Sequence, residues 1–90
     1  MLEEIKKIQG INHHDFDDMI NNWIQAGMID LKCIGIVDSK INATDPLIKT
    51  ALITYTLSFL DVPNSEMYAS SYSMQKDVLR HLTEYNTEVV

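Results

Sequence analysis

Apolar residues recur at the spacing of an α-helix in four segments of this chain, which predicts a small all-α domain of four helices. The first predicted helix is short, and the second, third and fourth are long. Gly10 and Gly35 follow the first two as C-terminal stops, and a turn at Pro63 precedes the fourth. The predicted helices cover residues 2–9, 14–34, 46–60 and 66–85, with a loop over residues 36–44 and a loose tail over residues 86–90.

The apolar residues of the second and fourth predicted helices fall on one side of each helix, as expected for helices that pack on a core. In the second helix this stripe contains Phe16, Met19, Ile20, Trp23, Ile24, Gly27, Leu31 and Ile34. In the fourth it contains Met67, Met74, Val78, Leu82 and Tyr85, widened by Tyr68, Tyr72 and Leu79. The residues predicted to be core are Phe16, Trp23, Leu52, Tyr55 and Leu79.

The third predicted helix has a strong start and almost no charge. The Asp45 carboxylate can accept hydrogen bonds from free amides of the first turn, and Pro46 occupies the first helical position, where no donor is needed. Residues 50–60 include no charged side chain. A helix of this kind lies either at the centre of a small bundle or with its second face against another subunit.

Some apolar residues lie outside the main stripes of the second and third predicted helices. One explanation is that the short first helix and the loop cover them within the subunit. The other is that they contact a neighbouring subunit, since exposed apolar patches usually mark association sites. On the second explanation, the residues predicted to form a subunit interface are Ile29, Cys33, Ile53, Leu57 and Leu60.

Composition and charge restrict the possible functions. A chain of 90 residues, 46% of them hydrophobic, is expected to form one domain over residues 1–90 with a modest core. The formal net charge of −6 and the scattered basic residues argue against a domain that binds nucleic acid through phosphate contacts. Cys33 is the only cysteine, so no intrachain disulfide is possible. The absence of a long apolar run predicts a protein without a membrane span, soluble and intracellular when made.

The sequence contains no constellation typical of an enzyme, so we expect no catalytic residues, metal or cofactor. Neighbouring His13 and His14 point about 100° apart on a helix and rarely share one ion. A lone cysteine such as Cys33 is usually a small packed side chain rather than a nucleophile. Asp38-Ser39 suggests the phosphopantetheine site of acyl carrier proteins, but Lys40 follows it and no acidic helix begins there.

The order of the segments resembles the small head–tail connector, or adaptor, proteins of tailed bacteriophages and prophages, which are also described as DNA-packaging proteins. The resemblance extends over nearly the whole chain. This chain departs from the family pattern at Trp23 and Gly27 of the second helix. It also departs at Thr54 and Thr56, which make the third helix more polar than expected. The segments that carry the resemblance are MLEEIKKIQGI, FDDMINNWIQAGMIDLKCIGIVDSKIN, DPLIKTALITY and SSYSMQKDVLRHL.

The resemblance implies a structural virion protein of the phage neck that is made in the host cytoplasm during assembly. Such proteins form a homo-oligomeric ring beneath the portal protein, extend the DNA channel and join the head to the next neck or tail-completion protein. An acidic subunit is compatible with this role, because acidic walls repel phosphates and let DNA pass without specific binding. The alternative hypothesis is a small acidic all-helical regulatory or protein-binding module that masks a basic partner.

Overall fold

Four α-helices of eight or more residues and one short helix make up the structure, a computed structural model that describes residues 1–86. The helices are α1 (Leu2–Gln9), α2 (Asp17–Cys33), α3 (Pro46–Leu60), α4 (Ser65–His81) and α5 (Thr83–Asn86). Two 3₁₀ turns, Asp38–Lys40 and Val62–Asn64, lie in the connections before α3 and α4. The predicted all-α fold class is confirmed, and residues 1–86 contain no β-strand.

The helix ends follow from local sequence signals. The bounds predicted for α1 and α3 are confirmed, whereas α2 begins three residues later than predicted and ends one residue earlier. Gly10 and Gly35 both have positive φ, 69° and 98°, a backbone conformation that glycine adopts without steric cost. The Asp45 carboxylate accepts hydrogen bonds from the amides of Leu47 and Ile48, at 3.0 and 3.3 Å, as predicted for the cap of α3.

The fourth helix is shorter than predicted, because the backbone at Leu82 is extended and ends α4 at His81. The break turns α5 back toward the start of α3. There the Tyr85 hydroxyl donates to the Asp45 carboxylate at 2.9 and 3.0 Å, and the Tyr85 carbonyl accepts from the amide of Val37 at 2.9 Å. Of the tail predicted over residues 86–90, Asn86 ends α5 and the other four residues lie outside the described part of the chain.

Helix α3 lies at the centre of the domain, with a hydrophobic cluster on each side. The larger cluster joins α2, α3, α4 and α5 and contains Leu31, Ile36, Ile48, Ala51, Leu52, Tyr72, Leu79 and Tyr85. The smaller one joins α1, α2 and α3 and contains Ile5, Ile20, Ile24 and Leu57. Buried Thr54 and Thr56 donate their hydroxyls to the carbonyls of Thr50 and Leu52, at 2.8 and 2.9 Å, which satisfies the polar atoms of an otherwise apolar helix.

Gly27 of α2 lies directly against side chains of α3. A methyl group added there would lie 3.0 Å from Cδ1 of Tyr55 and 3.1 Å from Cδ2 of Leu52. The missing side chain therefore lets the Tyr55 ring lie directly against the backbone of α2. This contact gives a structural reason for the glycine that departs from the family pattern.

The predicted core is partly wrong. Leu52 and Leu79 are buried as predicted, but Trp23 and Tyr55 are half-buried, and Phe16 is 42% exposed because it precedes α2 rather than lying within it. Helix α4 also presents a different face from the predicted one. It buries Tyr72 and Leu79, whereas the side chains of Met67, Met74 and Val78 are exposed.

Candidate assembly surfaces

Three of the five residues predicted to form a subunit interface lie on α3 and contribute to the subunit's own core. Leu57 is 3% exposed, within the smaller cluster, and has almost no surface left for a neighbour. Ile53 and Leu60 are half-buried against the same cluster. Side chains of α1 and α2 thus lie against this side of α3, whereas the first explanation expected the first helix and the loop there.

A buried ion pair fixes α1 over this cluster. Lys6 is 4% exposed, and its Nζ lies 2.8 Å from Oδ1 of Asp17 at the start of α2. The hydrogen bond from Lys6, followed by that from His14, lowers the pKa of the Asp17 carboxyl. Lys49 of α3 adds a second, exposed ion pair to Glu4 of α1. These polar contacts hold α1 in place, because this short helix has little apolar surface of its own.

The other two predicted interface residues lie on the solvent side of α2. Ile29 is 61% exposed, and the Cys33 thiol, one turn further on, is free and exposed. Asn22 and Gln25 complete this surface, which we call the α2 outer face. The sequence carries no charge between Asp18 and Asp30, so the middle of this exposed face is uncharged. A neighbour can cover a face without charges without burying an unpaired charge.

A second exposed apolar surface lies on α4 and was not predicted from the sequence. Met67, Met74 and Val78 share one side of the helix, and Met74 is 70% exposed. We call this stripe the α4 flank. The apolar period of the fourth predicted helix places these residues in the stripe expected to pack on the core, because the period does not reveal which of two adjacent apolar sides is buried.

The α4 flank borders an open pocket between α3 and α4. The pocket has a volume of about 160 Å³ and is lined by Leu47, Thr50, Gln75, Val78 and Leu79. Leu47, at its edge, is half exposed. Oε1 of Gln75 is shielded from solvent, so it does not face the open pocket, and it has no hydrogen-bond partner within the described part of the chain. The accessible lining of the pocket is therefore apolar.

Aromatic rings connect α2, α3 and α4 on a third side of the domain. Trp23 stacks on Phe59 with 5.9 Å between ring centroids, and Tyr55 meets Phe59 and Tyr72 edge to face at 5.0 and 5.1 Å. The Tyr72 hydroxyl donates to Asp30 of α2 at 2.6 Å, and burial, together with this hydrogen bond, raises the Tyr72 pKa far above its usual range. These contacts join α4 to both α3 and α2 on the side of α4 that is buried.

The histidines and acids that could suggest metal chemistry have structural neighbours. His13 packs edge to face on Phe16, and Nδ1 of His14 lies 2.9 Å from Oδ2 of Asp17. Within residues 1–86, no group of three or more His, Cys, Asp or Glu side chains is placed to hold a metal ion. No helix in the same range has both the length and the apolar character needed to cross a bilayer.

Comparison with known proteins gives one match. The sequence model of a family described as phage connector protein matches residues 1–86. No curated protein and no solved structure matches the chain.

Proposed function

Because this chain belongs to the phage connector protein family, in which the role is structural, we propose that it forms a ring beneath the portal protein in the neck of the virion. In this proposal the ring extends the DNA channel and provides the platform for the next neck or tail-completion protein. The family assignment carries the proposal, and the surface of the subunit supports it.

A closed ring needs two different surfaces on every subunit, because neighbours meet head to tail. The α2 outer face and the α4 flank are two such surfaces. Ile29 and Cys33 are the predicted interface residues with side chains available to a neighbour. We therefore assign the α2 outer face to one side of the subunit contact and leave Ile53, Leu57 and Leu60 with the subunit's core.

The charge of the subunit suits a channel through which DNA slides. A net charge of −6 is multiplied by the number of subunits in a ring, and the resulting potential repels phosphates. Such a wall prevents the salt bridges that would hold DNA in place. In this proposal DNA passes through the ring without specific binding.

Light scattering of the purified protein, with and without the portal protein from the same phage, tests the ring. The expected result is a closed oligomer whose mass is a fixed multiple of the subunit mass in at least one of the two samples. A monomer in both samples would contradict the ring. If that monomer bound a basic regulatory protein instead, the result would favour the alternative of a regulatory module.

Two charge substitutions separate subunit contact from subunit core. Ile29→Glu places an unpaired charge at an exposed site, so the subunit should fold normally and lose the ring, because burial of that charge on association is unfavourable. Leu57→Glu places the same charge in the core and should unfold the subunit. Ser73→Glu, on an exposed part of α4, is the matched control and should leave both folding and assembly unchanged.

A further inference from the structure

We propose that the end of the subunit at which α2 and α4 begin is a docking surface for a protein that presents lysine or arginine side chains around an apolar group. In the ring proposed above, that protein is one of the two neighbours of the ring, the portal protein or the next neck protein. The choice of partner rests on the proposed function, and the choice of surface rests on the residues below.

Four helix ends meet at this end of the domain. Trp23, near the start of α2, stacks on Phe59, near the end of α3. The side chain of Gln9, the last residue of α1, donates to the Asp61 carboxylate just after α3 at 3.1 Å. The short turn over residues 62–64 connects this point to the start of α4. The starts of α2 and α4 and the ends of α1 and α3 therefore share one surface.

Large apolar side chains are exposed on this surface. Phe59 is 48% exposed although it stacks on Trp23, and Met19, one turn before Trp23 on the same side of α2, is 41% exposed. Phe16, just before α2, and Val62, just after α3, are exposed as well. We call these five side chains the apolar patch. Exposed apolar groups gathered in one place are typical of an association surface.

The accessible charges at the same end are predominantly acidic. Lys6 is buried against Asp17, which leaves Lys7 as the exposed basic side chain at this end among residues 1–86. Acidic side chains at the starts of α2 and α4 also suit the helix dipoles, but here they share a surface with the apolar patch. The acidic residues of this end that remain at least partly exposed are Asp15, Asp18, Asp61 and Glu66.

Charge complementarity identifies the occupant of this surface. An apolar patch among acidic side chains favours a partner with basic side chains around its own apolar group, because association brings the two sets of charges together. DNA does not fit, since its phosphates are repelled. A second copy of this chain does not fit either, because its own acidic end is repelled and its opposite end carries balanced charge. Within the described residues, the charges of the opposite end are Lys32, Lys40, Lys49 and Arg80 against Asp38, Asp45, Asp77 and Glu84.

Titration calorimetry with the purified portal protein and, separately, with the purified next neck protein of the same phage tests the surface. The charge variant combines Asp18→Asn with Glu66→Gln, and its matched control combines Asp38→Asn with Glu84→Gln at the opposite end. Both have the same net charge. For one of the two neck proteins, we expect the charge variant to bind roughly tenfold more weakly at low salt and the control to bind as the wild type does. The difference should shrink as salt is added, because exposed charges are screened.

A second pair of variants tests the apolar patch. Met19→Gln removes an apolar side chain that is 41% exposed, and Leu47→Gln removes one that is 45% exposed at the opposite end. We expect Met19→Gln to weaken binding of the same neck protein and Leu47→Gln to leave it unchanged. Thermal unfolding followed by circular dichroism checks that all four variants are folded. The salt dependence of wild-type binding tests the charge argument without any substitution.

Equal affinities for the charge variant and its control would overturn the docking surface, and so would a lack of wild-type binding to both neck proteins. Light scattering of the same samples reports the ring independently. A closed ring whose partner binding is insensitive to the charge variant overturns the docking surface and leaves the ring intact. A monomer whose partner binding is weakened by the charge variant, and not by the control, supports the docking surface and contradicts the ring.

Discussion

The contact between α2 and α3 at Gly27 leads to a prediction that opposes the usual effect of helix propensity. If helix propensity were the only effect, Gly27→Ala would stabilise the protein by about 1 kcal/mol, because alanine restricts the unfolded chain more than glycine does. In this structure, however, the new methyl group would lie 3.0 Å from Cδ1 of Tyr55 and 3.1 Å from Cδ2 of Leu52. Both distances are well below ordinary carbon–carbon contact, so the two side chains would have to move.

Both neighbours are held by their own packing. Leu52 is completely buried, and the Tyr55 ring is in edge-to-face contact with Phe59 on one side and Tyr72 on the other, at 5.0 and 5.1 Å. Overpacking of a filled core costs about 1–3 kcal/mol. Set against the propensity gain of about 1 kcal/mol, the net expectation is a loss of about 1 kcal/mol. For a domain of this size that loss lowers Tm by about 4–8 °C.

Urea and thermal unfolding, followed by circular dichroism, measure this loss. Asn22→Ala and Asn22→Gly are matched controls at an exposed position of α2, and the difference between them gives the propensity effect without the packing effect. A Gly27→Ala variant that unfolds at a higher temperature than the wild type would refute the reasoning. It would mean that α2 and α3 can separate by a few tenths of an ångström without loss of packing.

Three further predictions concern the core, the cap of α3 and the dependence of stability on pH. Leu52→Ala should cost roughly 2–5 kcal/mol in urea unfolding, because Leu52 is fully buried, and an unchanged midpoint would place it outside the core. Tyr85→Phe removes the hydrogen bond to Asp45 and should lower the free energy of unfolding by about 1 kcal/mol. A variant as stable as the wild type would contradict this role of the hydrogen bond. Asp17 has a lowered pKa in the folded state, chiefly because Lys6 donates to it, so its stabilising effect is present above about pH 4 and is lost as the pH falls further. The stability difference between wild type and Asp17→Asn should therefore shrink as the pH falls below about 4, and a constant difference would contradict the ion pair.

The sequence by itself determined the elements whose causes are local. An aspartate followed by proline fixed the start of α3, and glycines with positive φ fixed the ends of α1 and α2, because capping and backbone freedom depend on a few consecutive residues. The order and spacing of the helical segments also carried the resemblance to the connector family, which the match over residues 1–86 confirms. The position of Ile29 and Cys33 outside the main stripe of α2 likewise set them apart from its core-facing side, and both are exposed.

The tertiary structure decided which apolar surfaces are buried, because that choice depends on partners far away in the chain. Helix α4 has two adjacent apolar sides, and its packing against α3, together with the hydrogen bond from Tyr72 to Asp30, 42 residues away, shows which side is buried. Helix α3 is apolar all round, and only the position of α1 shows that Leu57 is covered within the subunit. The pocket beside Val78 likewise exists because α3 and α4 are brought together. The spacing of apolar residues shows which side of a helix is apolar. Only the fold determines whether a neighbouring helix, a neighbouring subunit or solvent lies against that side.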